Sequence, residues 1–188
     1  MVSIQESLKG HYLIAMPGLQ DPNFHQTVTV ICEHNAEGAI GIIINRLHPR
    51  LMCTEIFEEL NIGWEPMTSA AQVHFGGPVH MGEIFMLHGP PFTWDSCLLV
   101  SPTLAMSNSR DIVEAVALNR GPEAFILSLG CAGWGPGQLE AELLENAWLT
   151  SPALDEVVFR CPVENRWHEA VTRMGFDPMW LSSTSGNA

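Results

Sequence analysis

Basic side chains are scarce in this sequence. Its 188 residues include 8 lysines and arginines against 21 aspartates and glutamates, a formal net charge of −13, and Lys9 is the sole lysine. Proteins that bind nucleic acid need such cations to neutralise phosphates. We therefore expect neither a direct grip on nucleic acid nor adhesion to an anionic membrane, unless the seven arginines converge on one face.

Long apolar runs, a signal peptide and paired cysteines are also lacking. No stretch approaches the roughly 18 apolar residues that a spanning helix needs, and residues 1–10 show no basic segment followed by an apolar one. The five cysteines, at positions 32, 53, 97, 131 and 161, are odd in number and widely spaced, without a C-x-x-C pair. This usage is typical of free thiols in a reducing compartment, so we expect a cytoplasmic protein.

The remaining composition is that of an ordinary globular chain, with 46% hydrophobic and 15% charged residues. The length predicts one domain, residues 1–181, with a small, polar and flexible tail at residues 182–188. Strands come early, and strand–helix alternation follows residue 97. This order predicts an α+β (mixed α/β) fold with a mixed, curled sheet, and it leaves the strand order open.

Apolar runs and alternation predict the strands, and helical spacing predicts the helices. The predicted strands are residues 12–16, 27–32, 39–44, 73–75, 83–88, 97–101, 124–129 and 157–160. The second and third of these flank a polar turn at residues 33–38 and should form a hairpin. The predicted helices are residues 54–60, a segment capped by Ser109, a segment from the glycine-rich stretch through Trp148, and residues 166–174 ending at Gly175.

A glycine-rich segment, residues 130–137, stands between a predicted strand and a predicted helix, where backbone N–H groups can cradle an anion. It is incomplete as a P-loop, because Pro136 and Gly137 stand where lysine and serine or threonine are required. It does not fit G-x-G-x-x-G either, and Glu140 and Glu142 would repel a phosphate. The alternative interpretation is a tight turn that lets a helix pack close to a sheet.

Three further groups of polar residues are candidates for chemistry. Cys131 follows a strand but lacks the flanking glycine of a nucleophile elbow, so a buried apolar thiol is the alternative. The segment 32–35 combines a thiol, a carboxylate, an imidazole and an amide. If the strand continues, Cys32 and His34 would share one face, whereas a plain hairpin turn is the alternative. His74, His80 and His88 flank a glycine turn without a fixed partner for a metal. We predict no catalytic residue, metal site or cofactor, and expect the six tryptophans to fill the core.

Several segments together resemble the YqgE/AlgH family of bacterial proteins. They extend from about Leu8 to Asp177 and are Lys9–Pro17, Asp21–Phe24, Cys32–Asn35, Gly38–Gly41, Asn45, Gly76–Val79, Leu87–His88, Ser109–Asp111, Leu129–Trp134, Gly137–Glu140, Asn146–Leu149 and Arg166–Trp167. Cys131 departs from the pattern, since the resemblance leads us to expect tyrosine there. The resemblance implies a partly barrel-like sheet with surrounding helices and a bacterial cytosolic setting. The family carries a transcriptional-regulator label, but the resemblance implies no established activity, cofactor or catalytic residue.

Our leading hypothesis is a non-catalytic binding or regulatory protein that recognises a protein or small-molecule ligand. The predicted pocket gathers the turn at 32–35, the turn at 76–78 and the loop at 130–138. Its candidate ligand-binding residues are Cys32, Glu33, His34, Asn35, Asn45, Gly76, Gly77, Pro78, His88, Gly130, Gly133, Trp134, Gln138 and Glu140.

Two alternatives stay open. One is a hydrolase or thiol-dependent enzyme that uses His34, Glu33 or Cys131, which requires a nucleophile, a base and an orienting group within hydrogen-bond reach. The other is nucleic-acid binding through clustered arginines. These are Arg46, Arg50, Arg110, Arg120, Arg160, Arg166 and Arg173. The sequence is silent on the ligand and on the oligomeric state.

Overall fold

The computed structural model describes residues 6–68 and 71–179, and ten strands form in these ranges. The strands are β1 (His11–Ala15), β2 (Val28–Asn35), β3 (Gly38–Ile43), β4 (Leu47–Met52), β5 (Gln72–Phe75), β6 (Val79–His88), β7 (Cys97–Ser101), β8 (Leu104–Ser107), β9 (Phe125–Trp134) and β10 (Trp148–Pro152). The helices are α1 (Cys53–Glu59), α2 (Arg110–Ala117), α3 (Gln138–Leu144) and α4 (Arg166–Arg173). Short 3-10 turns lie at Pro66–Thr68 and Val163–Asn165, and a π-helical turn lies at Glu156–Arg160.

The strands form one mixed sheet in the order β10-β1-β2-β3-β9-β6-β8-β7, with β5 beside β9 and β4 beside β5. Strand β5 runs parallel to β9, whereas the other pairs in the described ranges are antiparallel. The sheet curls so far that the carbonyl oxygen of Val100 in β7 lies 3.2 Å from the position of a Cβ atom on Gly10. It is not closed into a barrel, so the predicted curled, mixed sheet with flanking helices is confirmed.

Alternation of side chains along the strands creates an inner and an outer apolar face. The inner face is filled by β1, β2, β3, β6, β8 and β9 and is covered by the π-helical turn and α4. Helices α1 and α2 pack on one part of the outer face, and α3 packs on another. The curl therefore leaves the C-terminal elements to close the interior.

Two helix predictions are confirmed in position. Ser109 precedes α2, which buries its apolar stripe against the sheet, but the Ser109 hydroxyl donates to the Asp111 carboxylate and makes no capping hydrogen bond to the helix backbone. Helix α4 stops before Gly175, whose φ of +82° suits a residue without a Cβ atom. The hairpin of β2 and β3 is confirmed as well, with a tighter turn than expected because Asn35 pairs directly with Gly38.

Several predicted elements were wrong. Residues 130–134 continue β9, because their backbone pairs with Val79 on one side and with residues 39–41 on the other. Helix α3 ends at Leu144, and Trp148 begins β10, which pairs with β1. Residues 156–160 form a π-helical turn in place of the last predicted strand. Strands β4, β8 and β10 were not predicted. In β4 the signal is masked by Pro49, a residue that central strands avoid.

The tail at residues 182–188 lies outside the described residues. No helix in the described ranges has the length and apolar character needed to cross a membrane.

Candidate functional site

His34 is almost fully enclosed and uses both of its ring nitrogens. Its Nδ1 accepts a hydrogen bond from the backbone N–H of Leu8 at 3.0 Å, so Nε2 carries the proton and faces Glu140 Oε1 at 2.9 Å. Nearby, Lys9 Nζ donates to Glu33 Oε2 at 2.9 Å. The pKa of Glu140 is held below its usual range by its backbone N–H near the start of α3 and then by His34. These polar groups tie the N-terminal segment and α3 to the hairpin.

Cys32 and His34 do not share a face, contrary to expectation. The pairing of β2 with β3 shifts by one residue between Ile31 and Glu33, which makes Cys32 the extra residue of a β-bulge. Cys32 lies in the inner apolar cluster, whereas Ala39, the partner of His34, belongs to the outer cluster under α3. A joint thiol–imidazole site is therefore excluded by the register.

The turn at 76–78 and the start of the glycine-rich segment do come together, but as touching backbones. The N–H of Gly76 donates to the carbonyl of Leu129, and the carbonyl of Gly76 accepts from Ile43. A Cβ atom on Gly77 would lie 2.3 Å from the carbonyl carbon of Cys131, and one on Gly130 would lie 2.4 Å from the carbonyl oxygen of Gly77. Pro78, the next residue along the chain, is half-buried. Glycine is thus required here for strand packing.

The end of β9 is locked to α3 and β10 by one carboxylate. Glu142 Oε2 accepts hydrogen bonds from both indole N–H groups, at 2.9 Å from Trp134 and 2.8 Å from Trp148. Gln138 donates to the other oxygen of Glu142 at 2.9 Å, and its own amide oxygen accepts from the N–H of Gly135. The two indoles stack edge to face around Phe24. This arrangement confirms the expected core role of these tryptophans.

The other predicted candidates hold the strands in place. Asn45 accepts from the N–H of Val28 at 2.7 Å and donates to the carbonyl of Gln26, and Asn35 caps its own turn through the N–H of Glu37. Gly133 pairs with Ile40 in the sheet.

The three histidines around the glycine turn lie in three separate environments. His74 is buried beside Arg166, His80 faces Glu83 on the surface, and His88 contacts Ser107. Across residues 6–68 and 71–179 no three His, Cys, Asp or Glu side chains are grouped to hold a metal ion.

His74 and Arg166 form a buried polar pair. Arg166 is 5% exposed and donates to the carbonyl oxygens of Ile44 and Cys161 and to His74 Nε2. Burial, followed by the Arg166 charge, lowers the pKa of His74 to about 4. Burial also lowers the pKa of Arg166. Because His74 accepts from a cation, it is neutral, and the pair joins α4 to the sheet.

The thiols do not have the setting of a nucleophile. Cys131 is 1% exposed, and burial raises its pKa to about 11. Burial likewise raises the pKa of Cys32 far above its ordinary value and that of Cys53 to about 12. A reactive cysteine needs the opposite shift, toward the thiolate.

Ser107 and His88 form a hydrogen-bonded pair of a hydroxyl and a base, which the sequence did not reveal. His88 Nδ1 lies 2.6 Å from the carbonyl oxygen of Gly89, so Nδ1 carries the proton and Nε2 accepts from Ser107 Oγ at 2.9 Å. Burial lowers the pKa of His88, which favours the neutral base. Ser107 is only 1% exposed, however, and His88 is fully buried.

A large cavity lies at the opposite end of β9 from the predicted pocket. It is an open cleft of about 870 Å³ between the segment after β6, the β7–β8 turn, the start of β9 and the π-helical turn. Its lining residues are Gly89, Pro90, Thr103, Glu123, Ala124, Phe125, Asp155, Glu156, Phe159 and Arg160. The N–H of Gly89 donates to the carbonyl of Ala124, which fixes one wall. None of the candidate ligand-binding residues lines this cleft, although Arg160 was among the arginines considered for nucleic-acid binding.

The charged residues of the cleft are mostly uncompensated. In the part of the chain that the structure describes, Glu123, Asp155 and Arg160 make no ion pair within 4 Å, and Glu156 lies 3.2 Å from Arg173. A depression of about 200 Å³ on the other side of the π-helical turn shares Glu156 and Arg160 and adds Cys161, Glu169 and Arg173. The site is built from loops, and it lacked a sequence motif.

The chain matches a known protein family and several known proteins. An AlgH-like family model matches residues 12–179. The chain belongs to the AlgH-like family. A UPF0301 protein of Desulforapulum autotrophicum is 52% identical over 181 residues, 96% of each chain. Another from Methylococcus capsulatus is 46% identical over the full length of both. None of these names states an activity.

Solved structures share the fold. The solution structure of the AlgH protein from Pseudomonas aeruginosa matches with a TM-score of 0.81 at 42% identity, covering 100% of both chains. A crystal structure of a Corynebacterium diphtheriae protein matches with a TM-score of 0.73 at 21% identity, over 97% of this chain and 94% of that one. The second match shows the fold alone. The resemblance noted in the sequence is thus confirmed as family membership.

Proposed function

We propose that this protein is a non-catalytic binding protein whose ligand occupies the cleft beside the π-helical turn. The observation that carries the proposal is the cleft itself, a concave volume of the size that small-molecule sites have, lined by both aromatic and charged groups. π-Helical turns are rare and occur frequently at functional sites, which supports the same location. A regulatory role would follow from occupancy of this cleft.

The residues first suggested for catalysis support a structural role. Both nitrogens of His34 and both oxygens of Glu33 have internal partners. Cys131 lies in the apolar interior with a raised pKa. Internal hydrogen bonds of this kind hold the side chains in structural positions, and the raised pKa keeps the Cys131 thiol protonated.

The arginines support regulation through a ligand rather than through DNA. Arg166 is buried, and Arg110 and Arg173 are paired with Glu114 and Glu169. Arg46 donates three hydrogen bonds to carbonyl oxygens of the loop before β2. With four arginines committed and a net charge of −13, the three exposed arginines, Arg50, Arg120 and Arg160, offer little to attract phosphates. We propose a cytoplasmic location, which the five free cysteines support.

Fragment screening by NMR tests the binding proposal. We expect fragments to shift backbone amide signals of Gly89, Thr103, Ala124 and the π-helical turn. The variant Thr103→Trp should fill the cleft and abolish these shifts, whereas Thr93→Trp, at an exposed threonine outside the cleft, should preserve them. Hits that map to the 32–35 turn, or no hits at all, would refute the cleft as the binding site.

A second candidate function is acyl transfer by Ser107, favoured by its hydrogen bond to His88. In that reaction the Ser107 oxygen would bond to the acyl carbon, and its proton would pass to His88 Nε2. The bond from the acyl carbon to the leaving group would break, and the leaving group would take that proton. Water or another acceptor would then give a proton to His88 and take the acyl group, and His88 would return the proton to the Ser107 oxygen. It ranks second because Ser107 is buried. A fluorophosphonate probe distinguishes the two: labelling of Ser107 that is lost in both Ser107→Ala and His88→Ala would support the enzyme, and absence of labelling would dismiss it.

A further inference from the structure

We infer that the cleft selects an organic cation, an ammonium or guanidinium group attached to a flat apolar body. The inference rests on the proposed binding function and adds the chemical class of the ligand. It depends on two features of the lining: the sign of its charges and its aromatic surface.

The charges of the lining favour a cation. The lining includes three acidic residues, Glu123, Asp155 and Glu156, and one basic residue, Arg160. Of these three, within residues 6–68 and 71–179, Glu156 alone has a cation within 4 Å, and that cation, Arg173, lies closer to Glu169, at 2.7 Å against 3.2 Å. The excess of 13 negative charges over the whole chain adds a field that concentrates small cations near the surface.

The apolar part of the lining gives the cation a second point of recognition. Phe125 and Phe159 are each half-buried and line the cleft, as do Pro90 and Ala124. Aromatic faces attract cations through their quadrupole and also cover flat apolar groups. A small inorganic cation would use only the carboxylates, whereas an aromatic amine would use both kinds of group.

Arg160 separates this ligand class from a zwitterion. For a simple cation the guanidinium is repulsive, so its removal should tighten binding. For an amino-acid-like ligand it would pair with the ligand carboxylate, so its removal should weaken binding. The sign of one substitution therefore decides between the two classes.

The test uses three probes with the same ring and different charge: phenethylamine, phenylalanine and 3-phenylpropionate. NMR titration of the full chain should give the tightest cleft binding for phenethylamine. Asp155→Asn should weaken its binding roughly two- to five-fold, the effect of losing one solvent-accessible charge pair. Arg160→Gln should tighten it by a similar factor, and Glu37→Gln, an exposed carboxylate in the β2–β3 turn, should leave it unchanged.

The outcomes separate this inference from the binding proposal. If phenylpropionate or phenylalanine binds the cleft more tightly, or if Arg160→Gln weakens binding of phenethylamine, the cation class is wrong and the binding proposal stands. If no probe and no fragment reaches the cleft, the binding proposal fails as well. Unchanged thermal unfolding of the three variants would confirm that binding differences arise in the cleft.

Discussion

The two ends of β9 use polar groups in opposite ways. At the Trp134 end, the buried His34 and the partly exposed Glu140 and Glu142 are bonded to partners within the chain. At the Phe125 end, Glu123 and Asp155 line an open cleft without an ion pair in the described ranges. Polar groups with internal partners stabilise a fold, whereas uncompensated groups in a cavity are available to a ligand. Residues that stand out in a sequence can therefore serve packing, while ordinary loop residues line the proposed binding cleft.

The largest effect should come from Gly77→Ala near the centre of the sheet. Gly77 has φ +148°, and a Cβ atom would clash with the backbone of Cys131. We expect a loss of about 3 kcal/mol or more in the free energy of unfolding, measured with urea. The control Gly82→Ala meets nothing within 4 Å and should cost far less. Equal losses in the two variants would show that the packed centre tolerates side chains.

The next largest effect should come from Arg166→Met, which leaves the carbonyl oxygens of Ile44 and Cys161 without their donor. Buried acceptors without partners are costly, so we expect destabilisation by about 2 kcal/mol. Arg173→Met, on the exposed side of the same helix, is the matched control and should have little effect. A more stable Arg166 variant would mean that the buried charge is a burden that apolar packing can replace.

The pH dependence of stability tests the same buried pair. His74 has a folded pKa of about 4 against an ordinary value of 6.5, so the unfolded chain binds the proton more readily. Its contribution is therefore present above pH 6.5 and is lost as the pH falls toward 4. Between pH 7 and 4.5 the free energy of unfolding should fall by about 2 kcal/mol from this group.

The variant His74→Gln should remove that part of the slope, whereas His25→Gln, at an exposed loop position, should retain it. Chemical denaturation at a series of pH values measures both. An unchanged slope in the His74 variant would assign the acid sensitivity to other groups.

The smallest effect should come from removing one carboxylate at each end of β9. Glu140→Ala removes the partner of His34 Nε2 and should cost about 1–2 kcal/mol. Glu123→Ala, at the cleft, should change stability by less than about 0.5 kcal/mol, because no internal partner is lost. Thermal unfolding of the two variants side by side decides the point. A larger loss for Glu123→Ala would mean that the cleft is structural.

The fold was more predictable than the site, for physical reasons. Residues 110–117 and 166–173 were predicted because apolar spacing and end signals act within one helix. Residues 130–134 were misassigned because glycine reads as a turn, whereas here it admits a crowded neighbouring strand. Strand β10 follows α3 closely and ends in Ser151 and Pro152, which are more typical of a helix start than of a strand.

The cleft could not be predicted because its parts are far apart in sequence. Gly89 follows β6 and Glu123 precedes β9, and they meet only because these strands pair antiparallel, with His88 opposite Phe125. The strand order had to be known first. Asp155–Arg160 joins them through the packing of the π-helical turn on the inner face, a tertiary fact that no local pattern contains.

The β-bulge at Cys32 determines the length of the turn between β2 and β3. With Cys32 set aside, Asn35 meets Gly38 across a two-residue turn, and Glu33 and His34 are presented to opposite sides of the hairpin. Regular pairing without the bulge would need a three-residue turn. It would also place Glu33 and His34 each on the opposite face of the hairpin. Inserting one residue after Ala36 should therefore favour regular pairing of β2 with β3. His34 would then turn to the other face of the hairpin and release the N-terminal segment that it holds.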